Sequence, residues 1–169
     1  ILKNAGYEII PLSFNYGQRH QKEIEYAKNI SNNLGLEHII LELPVLSGSA
    51  LTDNDQNIPE VEYSIDSQHA TVVPNRNMVF IAHAVSVAIA NNASEVYYGA
   101  HMNDKIAYPD CTIQFVKAVQ SAIHTGNYEQ VNVKAPFIEM TKDQIIETGI
   151  ILGVPYEETW SCHKGHELH

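Results

Sequence analysis

Short apolar runs of strand length alternate with helical stretches along this chain. That alternation predicts an α/β fold, an open, mostly parallel sheet with helices on both faces. Runs such as "EHIILEL" and "SEVYYGAH" have the length and apolar content of buried strands. Between them lie stretches with apolar residues at helical spacing, and glycine or proline stands at the junctions. The 169 residues, 44% hydrophobic and 18% charged, suit one globular α/β domain over 1–169. There is no internal repeat and no linker.

The elements follow in order. "ILKNAGYE" reads as the last turn of a helix stopped at Gly6, so the chain is expected to begin inside a domain. Glu8 to Phe14 reads as a buried strand, with Pro11 as a disturbing element. Gln21 to Leu34 reads as a helix with Ile24, Ala27, Ile30 and Leu34 on one face and Gly35 closing it. Glu37 to Leu43 is a second strand, and Pro44 to Ala70 a long polar stretch of the kind that carries function or motion. Asn77 to Ala90 is apolar almost all round and predicts a helix buried on several sides, His83 included. Ser94 to His101 is a third strand. Pro109 to Ile123 reads as a helix with Phe115, Val116, Val119, Ala122 and Ile123 at helical spacing. Val131 to Phe137 is a fourth strand. Thr141 with Gln144 forms a capping box for a last helix, whose Ile145, Ile146, Gly149 and Ile150 are expected to face inward before Gly153 and Pro155 end it.

The net charge of −10 argues against a protein that grips nucleic acid through bulk charge. No apolar run approaches the roughly 18 residues needed to span a bilayer, and no signal peptide is visible. Two cysteines, Cys111 and Cys162, are too few for a disulfide framework, which points to a reducing, cytoplasmic setting.

In open α/β sheets ligands bind beyond the carboxyl ends of the strands. "SFNYGQRH", Ser13 to His20, falls at such an end. A turn at Tyr16-Gly17 followed by a polar first helical turn is the simpler account. The functional one is a nucleotide edge, with stacking from Phe14 or Tyr16 and polar contacts from Gln18, Arg19 and His20. Tyr98, Gly99 and His101 stand at the end of another strand. "VVPNRN" enters the apolar helix. Asn75 or Asn77 suits a cap, whereas Arg76, one of two arginines with Arg19, suits anion capture. In "YPDC", Pro109 and Asp110 are what a helix start favours, but an ionised Asp110 could also accept from a guanine-like ring. The tail from Trp160 holds Cys162, His163, His166 and His169, potential metal ligands without a strong zinc spacing.

Together "LSFNYGQRH", "VVPNRNMVF", "YPDC", "APFIEMTK" and "LGVPYEETWSC" resemble, in order and over nearly the whole chain, the family of 7-cyano-7-deazaguanine synthase, the queuosine-precursor enzyme. The resemblance implies an adenine-nucleotide α-hydrolase fold of the ATP pyrophosphatase type. It also implies ATP-dependent conversion of 7-carboxy-7-deazaguanine and ammonia to the nitrile. Adenylation of the carboxylate supplies a leaving group, ammonia displaces AMP, and a second activation drives the amide to the nitrile, with Mg²⁺ neutralising phosphates.

Members also carry an N-terminal strand with an SGGxDS pyrophosphate loop and a CxxCxxC cluster. With the cysteine of "WSC", that cluster binds Zn²⁺. Neither occurs here, so the chain as written is expected to be trimmed at both ends and inactive. Carried over by motif are Ser13, Phe14, Tyr16, Gln18, Arg19 and His20 as a nucleotide-side loop. Arg76, Asn77, Tyr108 and Asp110 follow for substrate or phosphate, and Cys162 for metal, with His166 or His169 as possible substitutes for lost thiolates. A homo-oligomer is implied, with no nucleic-acid or membrane partner. Two alternatives stay open: a related tRNA-modifying ATP pyrophosphatase, and a non-catalytic nucleotide-binding remnant.

Overall fold

The structure is a computed structural model that describes residues 1–53, 55 and 69–161. The described chain divides into two compact units, Ile1–Pro74 with Ile150–His169, and Asn75–Gly149.

The first unit is built on a parallel pair of strands, β1 (Leu12–Asn15) and β2 (Ile39–Glu42), joined by the helix α1 (Lys22–Asn33). Leu12 lies opposite Ile39 and Asn15 opposite Glu42. A parallel pair needs a crossover of about this length. The strand starts at Leu12 rather than Glu8, because Pro11 has no N–H to give the ladder. Its carbonyl instead accepts from the Ile39 N–H at 3.0 Å. Helix α1 half-buries Ile24, Ala27 and Ile30, while Leu34 is left exposed. It ends where Gly35 takes a φ of +69° and the Leu36 N–H reaches back to the Ser31 carbonyl at 2.9 Å. Residues Ile1–Gly6 form the expected helix-end turn, the Tyr7 N–H bonding the Leu2 carbonyl at 3.2 Å.

The second unit repeats the scheme. β3 (Glu95–Tyr97) and β4 (Asn132–Lys134) run parallel, with Val96 opposite Val133. Helix α2 (Arg76–Ala90) leads into β3, and α3 (Ile113–Gly126) crosses from β3 to β4. Helix α4 (Lys142–Ile151) follows β4. β4 stops at Lys134 because Ala135 precedes Pro136, and a residue before proline is steered out of a regular course. Ile81, Val85 and Ala88 of α2 pack with Val119 and Ile123 of α3 and with Val131 and Val133, and Val96, Tyr98 and Phe115 close over them. This cluster is the apolar centre of the unit.

Several expectations change. Helix α2 is buried along one stripe only; Ala82, His83, Ser86 and Ala90 are exposed, so His83 is no core residue. In α4, Gly149 is buried, but Ile146 and Ile150 are exposed at 41% and 64%. Ala122 also faces solvent. The segment expected as one helix from Pro109 breaks into a single 3₁₀ turn, Pro109–Cys111, and then α3. Thr112 causes the break. It is extended, with φ −116° and ψ 154°, and its hydroxyl accepts from the Phe115 N–H at 3.3 Å. A threonine that can cap prefers capping to continuing the helix. The Thr141–Gln144 capping box is present: the Thr141 N–H meets Gln144 Oε1 at 2.9 Å, and the Gln144 N–H meets Thr141 Oγ1 at 3.3 Å.

Candidate functional site

In the first unit Ser13, Phe14 and Asn15 belong to β1 itself, the exit runs from Tyr16 to His20, and hydrogen bonds fix its path. Gln18 is 6% exposed and its amide is used within the loop. Oε1 accepts from the Tyr16 N–H at 2.9 Å, and Nε2 donates to the Phe14 carbonyl at 3.2 Å and to Glu23 at 3.5 Å. Arg19 ties the loop to the chain beyond β2: its N–H bonds the Leu51 carbonyl at 2.9 Å and Nη1 the Ala50 carbonyl at 3.3 Å. Leu43 and Leu46 give their N–H groups to Asn15 and Tyr16, at 2.7 and 3.1 Å. The exits of the two parallel strands are thus laced together. Ser13 Oγ pairs with His38 Nε2 at 2.9 Å, and burial, then the Lys28 charge, lower the imidazole pKa.

Tyr16 is 6% exposed. With Gln18, Arg19, His20, Glu23 and Leu51 it lines a cavity of about 10 Å³, room for about one water molecule. Ser49 anchors the partner loop and is 1% exposed. Its hydroxyl bonds the Ala70 carbonyl at 3.4 Å and accepts from Leu51 N–H at 3.2 Å. Nothing in the polar run from Pro44 singled out this residue, beyond the small, turn-forming character of "SGS".

In the second unit the chain leaves β3 through Tyr98 and Gly99 and forms the 3₁₀ turns Met102–Ile106 and Pro109–Cys111. The first is tied to the "APFIEMTK" segment: the Met102 N–H bonds the Met140 carbonyl and the Lys142 N–H bonds Asn103 Oδ1, both at 2.9 Å. His101 Nε2 lies 3.2 Å from Asp104 Oδ2. Tyr108 and Asp110 stand in and beside the second turn, where the Tyr108 N–H bonds the Asp104 carbonyl at 2.9 Å. Because Thr112 breaks the helix, Asp110 is not in the first turn of α3 and does not serve its dipole.

At the start of α2, Asn75 has a left-handed φ of 59° and offers no side-chain cap. Asn77 instead donates through Nδ2 to Cys111 Sγ at 3.6 Å. Neither asparagine therefore fills the capping role. Burial, then the charges of Asp110 and Asp104, push the Cys111 thiol up to about 12, while Arg76 pulls the other way. Arg76, Asp104 and Asp110 thus all act electrostatically on one buried sulfur, and Asp110 Oδ1 lies 3.8 Å from it.

The family description "Queuosine biosynthesis protein QueC" matches residues 1–169. The chain belongs to the QueC family. It is 43% identical to a 7-cyano-7-deazaguanine synthase of Hahella chejuensis over 98% of this chain and 73% of that one. It is 44% identical to the enzyme of that name from Caldicellulosiruptor saccharolyticus, over 98% and 75%. A solved structure, the U34-tRNA thiolase NcsA from Methanococcus maripaludis, matches with a TM-score of 0.52 at 15% identity. The match covers 90% of this chain, which spans half the length of the thiolase chain. That likeness concerns the fold, an adenine-nucleotide α-hydrolase-like arrangement of parallel strands and helices.

Of the QueC segments quoted from the sequence, "SFNYGQRH" runs out of β1, "YPDC" and "APFIEMTK" follow β3 and β4, and "VVPNRN" leads into α2. "SFNYGQRH" lies in the first unit, the division between the units falls within "VVPNRN", and in the second Asn77 and Asp110 both contact Cys111 of "YPDC". Cys162, His163, His166 and His169 lie outside the described residues. Among the described residues no group of three or more His, Cys, Asp or Glu side chains is placed to hold a metal ion. Among the same residues no helix is long and apolar enough to cross a membrane.

Proposed function

We propose that this chain carries the strand-exit machinery of a 7-cyano-7-deazaguanine synthase, which converts 7-carboxy-7-deazaguanine and ammonia to the nitrile at the expense of ATP. What supports this beyond family membership is the contact chain from Asn77 Nδ2 through Cys111 Sγ to Asp110 Oδ1, in the segment that follows β3. Arg76, with Asn77 beside it, takes a phosphate or the substrate carboxylate by charge-assisted hydrogen bonds. Asp110, with Tyr108 beside it, accepts from the N–H donors on the edge of the deazapurine ring. The loop Ser13 to His20, with Phe14, Tyr16 and His20 on a frame held by Gln18 and Arg19, is the nucleotide side. Cys162 is a metal ligand in this reading. Mg²⁺, when bound, supplies charge neutralisation to the phosphates.

The substrate carboxylate is a poor electrophile until it is adenylated. Ammonia then displaces AMP to leave an amide, and activation of the amide oxygen lets the nitrile form as a second AMP departs. The reaction is cytoplasmic and the enzyme self-associates, with neither nucleic acid nor membrane as partner.

The test uses the full-length gene product with 7-carboxy-7-deazaguanine, ATP and ammonium, following nitrile and AMP. Production of both is expected; AMP without nitrile would count against the assignment. D110N should raise KM for the deazapurine about tenfold or more with little change in KM for ATP, since it turns an acceptor-only carboxylate into an amide that also donates. An unchanged deazapurine KM would remove Asp110 from substrate recognition.

A further inference from the structure

Asp110 sits in the three-residue turn Pro109–Cys111, which is too short to hold a side chain by its own backbone. Two neighbours hold it instead. The Tyr98 hydroxyl, projecting from just past β3, donates to the Asp110 carbonyl at 3.3 Å. The Cys111 thiol donates to Asp110 Oδ1 at 3.8 Å. The direction of that second contact is set from behind. Asn77 Nδ2 can only donate, so the sulfur, 3.6 Å away, accepts from it and turns its own hydrogen towards the carboxylate. Among the described residues Oδ2 of Asp110 accepts no hydrogen bond.

We infer that Tyr98 and Cys111 are positioning residues for Asp110: they fix its backbone and one carboxylate oxygen so that the other meets the N–H edge of the ligand. The inference rests on the proposed role of Asp110 and adds two residues to it. The relay Asn77 to Cys111 to Asp110 works only while the thiol keeps its proton. Burial of Cys111, 6% exposed, and the flanking carboxylates ensure that it does across the neutral range. A thiolate would repel the carboxylate it is meant to hold.

The experiment compares D110N, C111A, C111S and Y98F in the full-length enzyme, with KM for deazapurine and for ATP measured separately, kcat, and unfolding temperature. C111A and Y98F should each raise the deazapurine KM about tenfold, the scale of one lost hydrogen bond to a charged or fixed group, with kcat and the ATP KM held within about twofold. C111S keeps an O–H donor and should return the deazapurine KM to within about twofold of wild type.

If D110N raises KM but C111A and Y98F do not, the two residues only pack the turn and the inference fails, whatever their unfolding temperatures. If D110N itself leaves KM unchanged, the proposed role of Asp110 fails first and takes the inference with it. Should C111A not fold, Y98F, which removes one oxygen atom, decides by the same criterion.

Discussion

Gly17 is held by two constraints at once. Its φ is +82°, a region that L residues avoid at about 1–2 kcal/mol. A Cβ built there would also lie 2.7 Å from Val45 Cγ2. G17A should therefore destabilise the protein by about 2–4 kcal/mol, summing strain and overpacking. Adding V45A should recover only the overpacking share, because the backbone strain stays. Denaturant midpoints of the two variants check this, and full recovery in the double variant would show that the φ constraint is not the cause.

His38 shows how titration enters. Its pKa is lowered by burial, so below pH 6.5, the ordinary imidazole value, the unfolded chain takes up a proton before the fold does. The contribution of His38 is complete above that pH and is lost as the pH falls below it. Wild type should lose stability over that interval more steeply than H38Q, and parallel slopes in the two unfolding series would contradict it. Neither the Gly17 clash nor the Ser13–His38 pair was legible in the sequence. Both join residues 25 or more positions apart, and no local pattern reports such a distance.

At the scale of elements, side chains finish what the short ladders begin. Gln120 of α3 lies along β4, its Nε2 donating to the Val131 carbonyl at 3.0 Å and its Oε1 accepting from the Val133 N–H at 2.6 Å. It serves β4 as a neighbouring strand would. Val131 and Val133 are 1% and 5% exposed, so Q120A leaves buried backbone groups unmet. The expected loss is about 2–4 kcal/mol, from two groups at about 1–3 kcal/mol each. Q120E sets an acceptor-only carboxylate oxygen against the Val131 carbonyl and should lose at least as much as Q120A. Urea unfolding of the three proteins checks the order; equal stabilities would show that water replaces the amide.

The order of strands and helices was readable from period and punctuation, as was the Thr141–Gln144 box. The break at Thr112 was not, because Pro109 and Asp110 suit the start of an α-helix as well as a lone 3₁₀ turn. Of the two readings that the sequence left open for Asp110, the break removes the one in which it opens α3.

For the molecule as a whole, the apolar cluster of buried side chains among the described residues lies in the unit Asn75–Gly149. The described part of Ile1–Pro74 relies more on laced strand exits and a buried serine. Hydrogen exchange should be slowest at Val85, Val119 and Val133 and faster throughout β1 and β2, since protection follows apolar burial. Equal protection in both strand pairs would argue for cooperative opening of the whole chain.

The sequence alone determined the class of fold and the family. Period, turn residues and the order of five short motifs are local properties, carried by neighbouring residues. Tertiary structure alone decided which hydrogen bonds those motif residues make and which of them are buried. It turned Gln18 and Arg19 into the frame of a loop and gave His83 to solvent. It also set Tyr98 and Cys111 behind Asp110, because hydrogen-bond partners and burial are fixed only when distant segments meet.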